Sequence, residues 1–372
     1  MQLPDTVRDL QQQLRQAIAD SAPLVVRGGA SKSWLDPHPE RTHGARVIDA
    51  RAHQGIVAYE PSELYVTARA GTPLGELEAA LAEHGQCLPC DPPRFVRDGH
   101  AATVGGMVAS GLSGPGRLST GAVRDFVLGA SLLNGRGEVM SFGGQVMKNV
   151  AGYDVSRLLA GSMGSLGVIL DVSLKVLPQP RAEATLVFEM PQQQATEQVN
   201  RWCGQPLPIS ASAWWAEPSG RGLLHLRLRG ARAAVGAACS ALGGELLQAP
   251  RADALWASLR EQELDWFDAT WQPSSRQALW RIALPPTTPP LDLPGETLVE
   301  WGGALRWLRG DADATAVREA AARAGGHATR FRGGDPAVPV YTPPAAPLDA
   351  IHRRLKLAFD PHGLFPDCFG AA

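Results

Sequence analysis

The sequence predicts an α+β protein of two domains, a glycine-rich N-terminal domain and a smaller α+β domain with an antiparallel sheet. Three observations carry this. Glycine-rich stretches at 27–32, 99–121 and 143–167 alternate with short apolar strands over the first half of the chain. Composition then changes after Pro178 and Pro180. Nine of the ten tryptophans lie between Trp202 and Trp307.

The first segment reads as a helix, because Val7, Leu10, Leu14, Ala17 and Ile18 recur at helical spacing, with Asp5 or Thr6 expected to cap its start. Pro23 ends it, and the strand Leu24-Val25-Val26 runs into the loop Arg27 to Lys32. Strands follow at Val47-Ile48, Ile56 to Tyr59 and Leu64 to Ala70. Thr72-Pro73 opens a helix carrying Leu74, Leu77 and Leu81, which Gly85 closes. Phe126 to Leu133 and Glu138 to Phe142 read as a hairpin around Asn134-Gly135, and Val168 to Val176 as a further strand.

In the second domain, strands are expected at Thr185 to Met190, Ile209 to Trp215, Leu223 to Arg229, Gln277 to Leu284, near Leu298 to Leu308 and at His327 to Phe331. A helix over Ala312 to Ala324 lies among them, and the tryptophans are expected to be core. The boundaries read as 1–180 and 181–335, then 336–372 as a proline-rich linker and a last helix. In that helix Leu348, Ile351, Leu355 and Phe359 form one apolar stripe, expected to dock back on the first domain, and Asp360-Pro361 stops it.

Bulk composition excludes several classes. The 372 residues are 44% hydrophobic and 19% charged, as in globular proteins. A net charge of -2 offers no field for nucleic acid or an anionic membrane. The first residues read as neither a secretory leader nor a membrane span, which makes a cytoplasmic protein the expectation. Five scattered cysteines do not form a disulfide framework, and Cys87-Leu88-Pro89-Cys90 lacks the second ligand pair that a zinc site needs.

Glycine loops bring main-chain N–H groups close to a ligand, and successive N–H groups form nests for phosphate oxygens. Arg27 to Lys32, Thr103 to Gly121 and Gly161 to Gly167 have that character. Two of the four lysines, Lys32 and Lys148, stand beside such loops. A Rossmann site is excluded: the loop after Val26 reads Gly-Gly-Ala-Ser-Lys-Ser-Trp and runs on to Asp36-Pro37 rather than into a helix.

Four blocks in order resemble the p-cresol methylhydroxylase (PCMH)-type FAD-binding family, which includes vanillyl-alcohol oxidase. They are Val25 to Ser31, Thr103 to Gly111, Lys148 to Asp154 with Gly161 to Ile169, and Leu355 to Phe365. Within that family, Glu60 to Leu64, Gly105 to Gly116, Val123 to Gly129 and Gly143 to Asp154 closely resemble the FAD-binding subunits of bacterial glycolate oxidases. The resemblance implies a PCMH-type domain of two α+β subdomains, a small cap, and FAD. It implies a complex with a larger flavin subunit and an iron–sulfur subunit, which oxidises glycolate to glyoxylate and passes electrons to a quinone. The FAD contacts it implies are Arg27, Gly28, Gly29, Ala30, Ser31, Lys32, Pro92, Thr103, Val104, Gly105, Gly106, Ala109, Ser110, Gly111, Gly116, Lys148, Asn149, Gly161, Gly164, Leu166, Gly167 and Val168.

The sequence departs from the family in two places. The loop at Arg27 to Lys32 has no His, Cys or Tyr to anchor flavin covalently, so the FAD is expected to be non-covalent, and His100 is expected to serve a turn. The family's closing Asn-Pro-Gly is replaced by Pro366-Asp367-Cys368. For substrate, Arg281, Arg330 and Arg332 are candidate carboxylate ligands, although arginines on strand edges are expected to face water. Substrate oxidation is therefore expected in the partner. A self-sufficient FAD-dependent 2-hydroxy-acid dehydrogenase and a scaffold with structural FAD remain as alternatives.

Overall fold

The computed structural model describes residues 3–36, 44–97, 99–145, 153–268 and 277–367. The chain forms two units. One comprises Met1–Ser113, Ala122–Gln179 and Pro343–Ala372, the other Gly114–Gly121 and Pro180–Thr342.

In the first unit, the helix Asp5–Asp20 buries Val7, Leu10, Leu14 and Ala17, the face that its periodicity predicts. Its start differs from expectation. Pro4 holds the capping position without a side-chain cap, and the Thr6 hydroxyl is instead 2.8 Å from His53 Nδ1. β1 (Leu24–Arg27) pairs in parallel with β2 (Arg46–Asp49). β3 (Ile56–Glu60) and β4 (Tyr65–Arg69) precede the short strand β5 (Gln86–Cys87). The strands β6 (Val127–Leu133), β7 (Val139–Gly143), β8 (Val168–Lys175) and β9 (Leu177–Pro178) follow. An antiparallel sheet runs in the order β3-β4-β8-β6-β7.

This unit has two cores. Leu10, Leu14, Leu24 and Ile48 pack with Leu133, Val168 and Leu170 in one. Val66, Leu74, Leu77, Val104, Val172 and Leu174 belong to the other. The central strand β8 supplies both, which explains why it reads as a nearly continuous apolar run. Of the last helix, Ala346–Phe359, only part of the predicted stripe docks. Leu355 and Phe359 pack on the second of these cores, whereas Leu348 and Ile351 are 47% and 52% exposed. Its spacing is helical, but only its final turns lie over the sheet.

The second unit is an antiparallel sheet of β10 (Ala182–Glu189), β11 (Ile209–Ala216), β12 (Gly222–Gly230), β13 (Glu245–Leu247), β14 (Ala278–Ala283), β15 (Glu296–Glu300), β16 (Leu305–Gly310) and β17 (His327–Gly333). Their order is β13-β10-β12-β11-β15-β16-β14-β17. Trp202, Trp214, Trp256, Trp266, Trp280, Trp301 and Trp307 are buried in this unit, as the core reading expects.

Candidate functional site

The loop after β1 is shaped by close backbone approach. A side chain at Gly29 would overlap the Ala101 carbonyl, and one at Gly28 the Thr103 hydroxyl. His100 Nδ1 donates to the Gly29 carbonyl at 3.2 Å, so this histidine steadies the loop. Ala30 lies in the left-handed region at φ 54°, and Ser33 N–H donates to its carbonyl. Among the described residues, the N–H groups of Gly29, Ala30 and Ser31 meet no acceptor. Three successive free donors in a half-buried loop make an anion nest. Lys32 Nζ donates to Ser31 Oγ at 3.2 Å, adding a cation at its edge.

The second glycine segment differs from the expectation that all three are nests, and the third is satisfied only in its first half, since Gly164, Leu166 and Gly167 N–H meet no acceptor among the described residues. Thr103 caps the helix Val104–Ser110, its hydroxyl accepting from Gly106 N–H. The N–H groups of Val104 and Gly105 donate to the Thr72 and Ala70 carbonyls at 2.9 and 2.8 Å. The first turn therefore has no free donors. In the third segment, Gly161 and Met163 N–H donate to Val108 and Ala109 at 3.0 and 2.8 Å, which fixes this loop to the second segment. Gly105 and Gly167 serve packing, whereas nothing among the described residues crowds Gly161 or Gly164. Gly105, for example, lies so close to Ala70 that an added Cβ would sit 2.6 Å from its methyl.

The three segments meet around one cavity of about 200 Å³. Of the predicted residues, Arg27 to Lys32, Thr103, Gly105, Gly106, Ala109, Ser110, Gly164 and Gly167 line it. Val104, Leu166 and Val168 do not, because their side chains are buried in the cores. Gly111 and Gly161 meet each other at a turn, and Pro92 is also absent from the lining. Gly116 belongs to the second unit, and Lys148 and Asn149 lie outside the described residues. Sequence reasoning missed Val25, Val26, Ser33, Asp36, Ala50, Ala70, Met163, Ile169 and Pro366. Val25, Val26 and Ile169 adjoin recognised loops and were findable on that ground, but nothing local marks Ala50 or Pro366.

The lining suits a dinucleotide flavin. A nest with Arg27 and Lys32 beside it would offset pyrophosphate charge, and Val26, Ala50, Ala70, Ala109 and Ile169 would make small apolar walls for flat rings. Among the described residues, no His, Cys or Tyr lines this cavity.

In the second unit the candidate arginines are not water-facing as expected. The Arg281 guanidinium lies 5.3 Å from the centre of the Trp301 ring, and Arg117 lies 4.4 Å from it. Burial, and then the charge of Arg117, pull the Arg281 pKa down to about 10. Arg330 donates to the Val338 and Gly333 carbonyls at 2.9 and 2.7 Å, and Arg332 is buried beside Phe331. The tryptophan-rich packing of β14 and β17 encloses side chains that an isolated strand would expose. Nearby Glu300 accepts from Trp307 Nε1 at 2.7 Å, and burial pushes its carboxyl up to about 7. Burial also raises the Cys90 thiol, so it is no nucleophile, and no metal-binding group of His, Cys, Asp and Glu occurs among the described residues.

Comparison with known proteins places this architecture. An FAD binding domain family model matches residues 2–143. Glycolate oxidase subunit GlcE of Escherichia coli (strain K12) is 47% identical over 361 residues, 97% of this chain and 96% of that protein. The chain belongs to the GlcE family of PCMH-type FAD-binding glycolate oxidase subunits. FAD is the cofactor of this family member, and its general class is oxidoreductase. Glycolate oxidase subunit GlcD of Bacillus subtilis (strain 168) is 29% identical over 165 residues, 44% of this chain and 34% of that protein. A solved alkyldihydroxyacetonephosphate synthase superposes with a TM-score of 0.67 at 13% identity over 98% of this chain and 74% of that one. That likeness shows a shared fold.

Proposed function

We propose that this chain is the FAD-holding subunit of a complex that oxidises glycolate to glyoxylate and passes the electrons through an iron–sulfur partner to a quinone. The observation that carries the reading is the row of free N–H groups at Gly29, Ala30 and Ser31 on an apolar-walled cavity. Full-length likeness to a glycolate oxidase subunit supports glycolate oxidation as the reaction of the complex. In this reading the nest and Lys32 hold the pyrophosphate, and Val26, Ala70, Ala109 and Ile169 exclude water from the rings. When bound, flavin accepts the two electrons of an alcohol oxidation. In this reading the binding is non-covalent, which the lack of His, Cys or Tyr among the described lining residues supports. Partial likeness to a GlcD subunit supports a larger flavin partner as the site of substrate oxidation. No helix among the described residues is long and apolar enough to cross a membrane; in this reading the chain is cytoplasmic and meets the membrane through its complex.

A second reading rests on Arg117 and Arg281. Two guanidinium groups on one tryptophan, that of Arg281 buried, would suit a substrate carboxylate, as a self-sufficient 2-hydroxy-acid dehydrogenase requires. Anaerobic addition of glycolate separates the two. The purified chain should show flavin absorbance that glycolate leaves unchanged, and bleaching should begin when the partner subunits are added. Bleaching by the chain alone would establish the second reading, and a colourless chain that cannot take up FAD would overturn both.

A further inference from the structure

We propose that Lys356 is a positioning residue for the flavin cavity, tying two of its walls together through one ammonium group; this rests on the cavity being the FAD site. The last helix ends at Asp360, whose side chain is wholly buried. Its carboxylate accepts from Leu364 N–H at 3.1 Å, Phe365 N–H at 2.9 Å and Lys356 Nζ at 2.6 Å. Lys356 Nζ also donates to the Ser165 carbonyl at 2.7 Å and the Phe365 carbonyl at 2.9 Å. An ammonium has three donors, and all three are used.

Two of these acceptors, the Ser165 and Phe365 carbonyls, adjoin cavity walls. Ser165 follows Met163 and Gly164 and precedes Gly167, all of which line the cavity. Phe365, held at both its N–H and its carbonyl, precedes the lining residue Pro366. The Leu364 carbonyl accepts from Leu24 N–H at 2.8 Å, and Leu24 leads into the lining residues Val25 and Val26. The third glycine segment, the first strand and the tail of the last helix thus share one polar junction. Leu364 and Phe365 are themselves buried in the first core, so apolar packing places this tail. Within it, the Lys356–Asp360 junction fixes the backbone groups of Leu364 and Phe365 next to Pro366. Lysine fits this role because a compact cation on a flexible stem can face three acceptors that are not coplanar. A planar guanidinium cannot.

The test compares Lys356→Met, Lys356→Arg and Phe359→Ala in the full chain, reading the FAD dissociation constant, the visible circular dichroism of bound flavin and the melting temperature without FAD. Phe359→Ala loosens the same helix through apolar packing. Lys356→Met is expected to weaken FAD binding roughly tenfold more than Phe359→Ala does at a comparable loss of melting temperature. Lys356→Arg, which keeps the charge, is expected to fold, to alter the flavin dichroism and to release FAD faster. The proposal is overturned if folded Lys356→Arg binds FAD with wild-type affinity and dichroism. It is equally overturned if affinity in Lys356→Met falls only in step with Phe359→Ala. Failure of the wild-type chain to bind FAD, or unchanged affinity in Gly164→Val, would instead remove the site reading beneath it.

Discussion

Two glycines of the cavity do different work, and their substitutions separate accordingly. At Gly105 an added side chain meets the Ala70 methyl, a packed core neighbour. Gly105→Val should therefore destabilise the FAD-free protein by about 1–3 kcal/mol through overpacking, measured by denaturant unfolding. At Gly164 the backbone has φ +77°, and the nearest atom to an added Cβ is Val26 Cβ at 3.9 Å. Gly164→Val should cost about 1–2 kcal/mol of backbone strain while its side chain narrows the cavity, so FAD affinity falls further than stability. A titration of apoprotein with FAD checks this. The glycines were visible in the sequence, but not which of them faces ligand and which faces protein, since that depends on what another segment places opposite. Glu300 gives a pH prediction. Its folded pKa is raised from 4.5 to about 7, first by burial, so the folded state favours the proton. Its contribution is complete below pH 4.5 and is lost as pH rises through 7. Glu300→Gln keeps an acceptor for Trp307 and should flatten that loss, about 3 kcal/mol at full ionisation, in unfolding curves taken at pH 5 and pH 8.

At the scale of elements, the last helix shows what periodicity conveys. Its four apolar residues share a face, yet only Leu355 and Phe359 meet the core. Phe359→Ala should cost roughly 2 kcal/mol, whereas Leu348→Ser and Ile351→Ser should stay within about 0.5 kcal/mol, all by chemical denaturation. Helix and strand identities were legible because burial imposes periods of 3.6 and 2 on local sequence. The start of the first helix was not. Thr6 has capping chemistry, but His53, 47 residues away, takes its hydroxyl. The nests were legible only in part for the same reason: Thr72 and Ala70 satisfy donors that the local sequence of the second segment leaves open.

For the whole molecule, FAD should stabilise the chain by mass action, adding about 2.7 kcal/mol when free FAD is a hundredfold above its dissociation constant. Calorimetry across an FAD series measures this, and an unchanged unfolding temperature would contradict the cavity assignment. The second unit bears on how far this chain acts alone. Arg117 and Arg281 share the Trp301 ring, and Arg281→Met should leave glycolate-driven reduction of the assembled complex unchanged if oxidation belongs to the partner. A loss of at least tenfold would place substrate on this chain.

The sequence by itself determined the α+β class, the strand-and-glycine order of the first unit, the antiparallel second unit and, through ordered motifs, the flavin family. These are properties of neighbours along the chain, where backbone preference and side-chain period act directly. The tertiary structure alone decided which glycine residues keep their N–H groups free, that the strand arginines are enclosed, and that Pro366 joins the cavity. Each depends on an acceptor, a ring or a charge supplied from elsewhere in the chain. Local sequence does not say which distant group arrives.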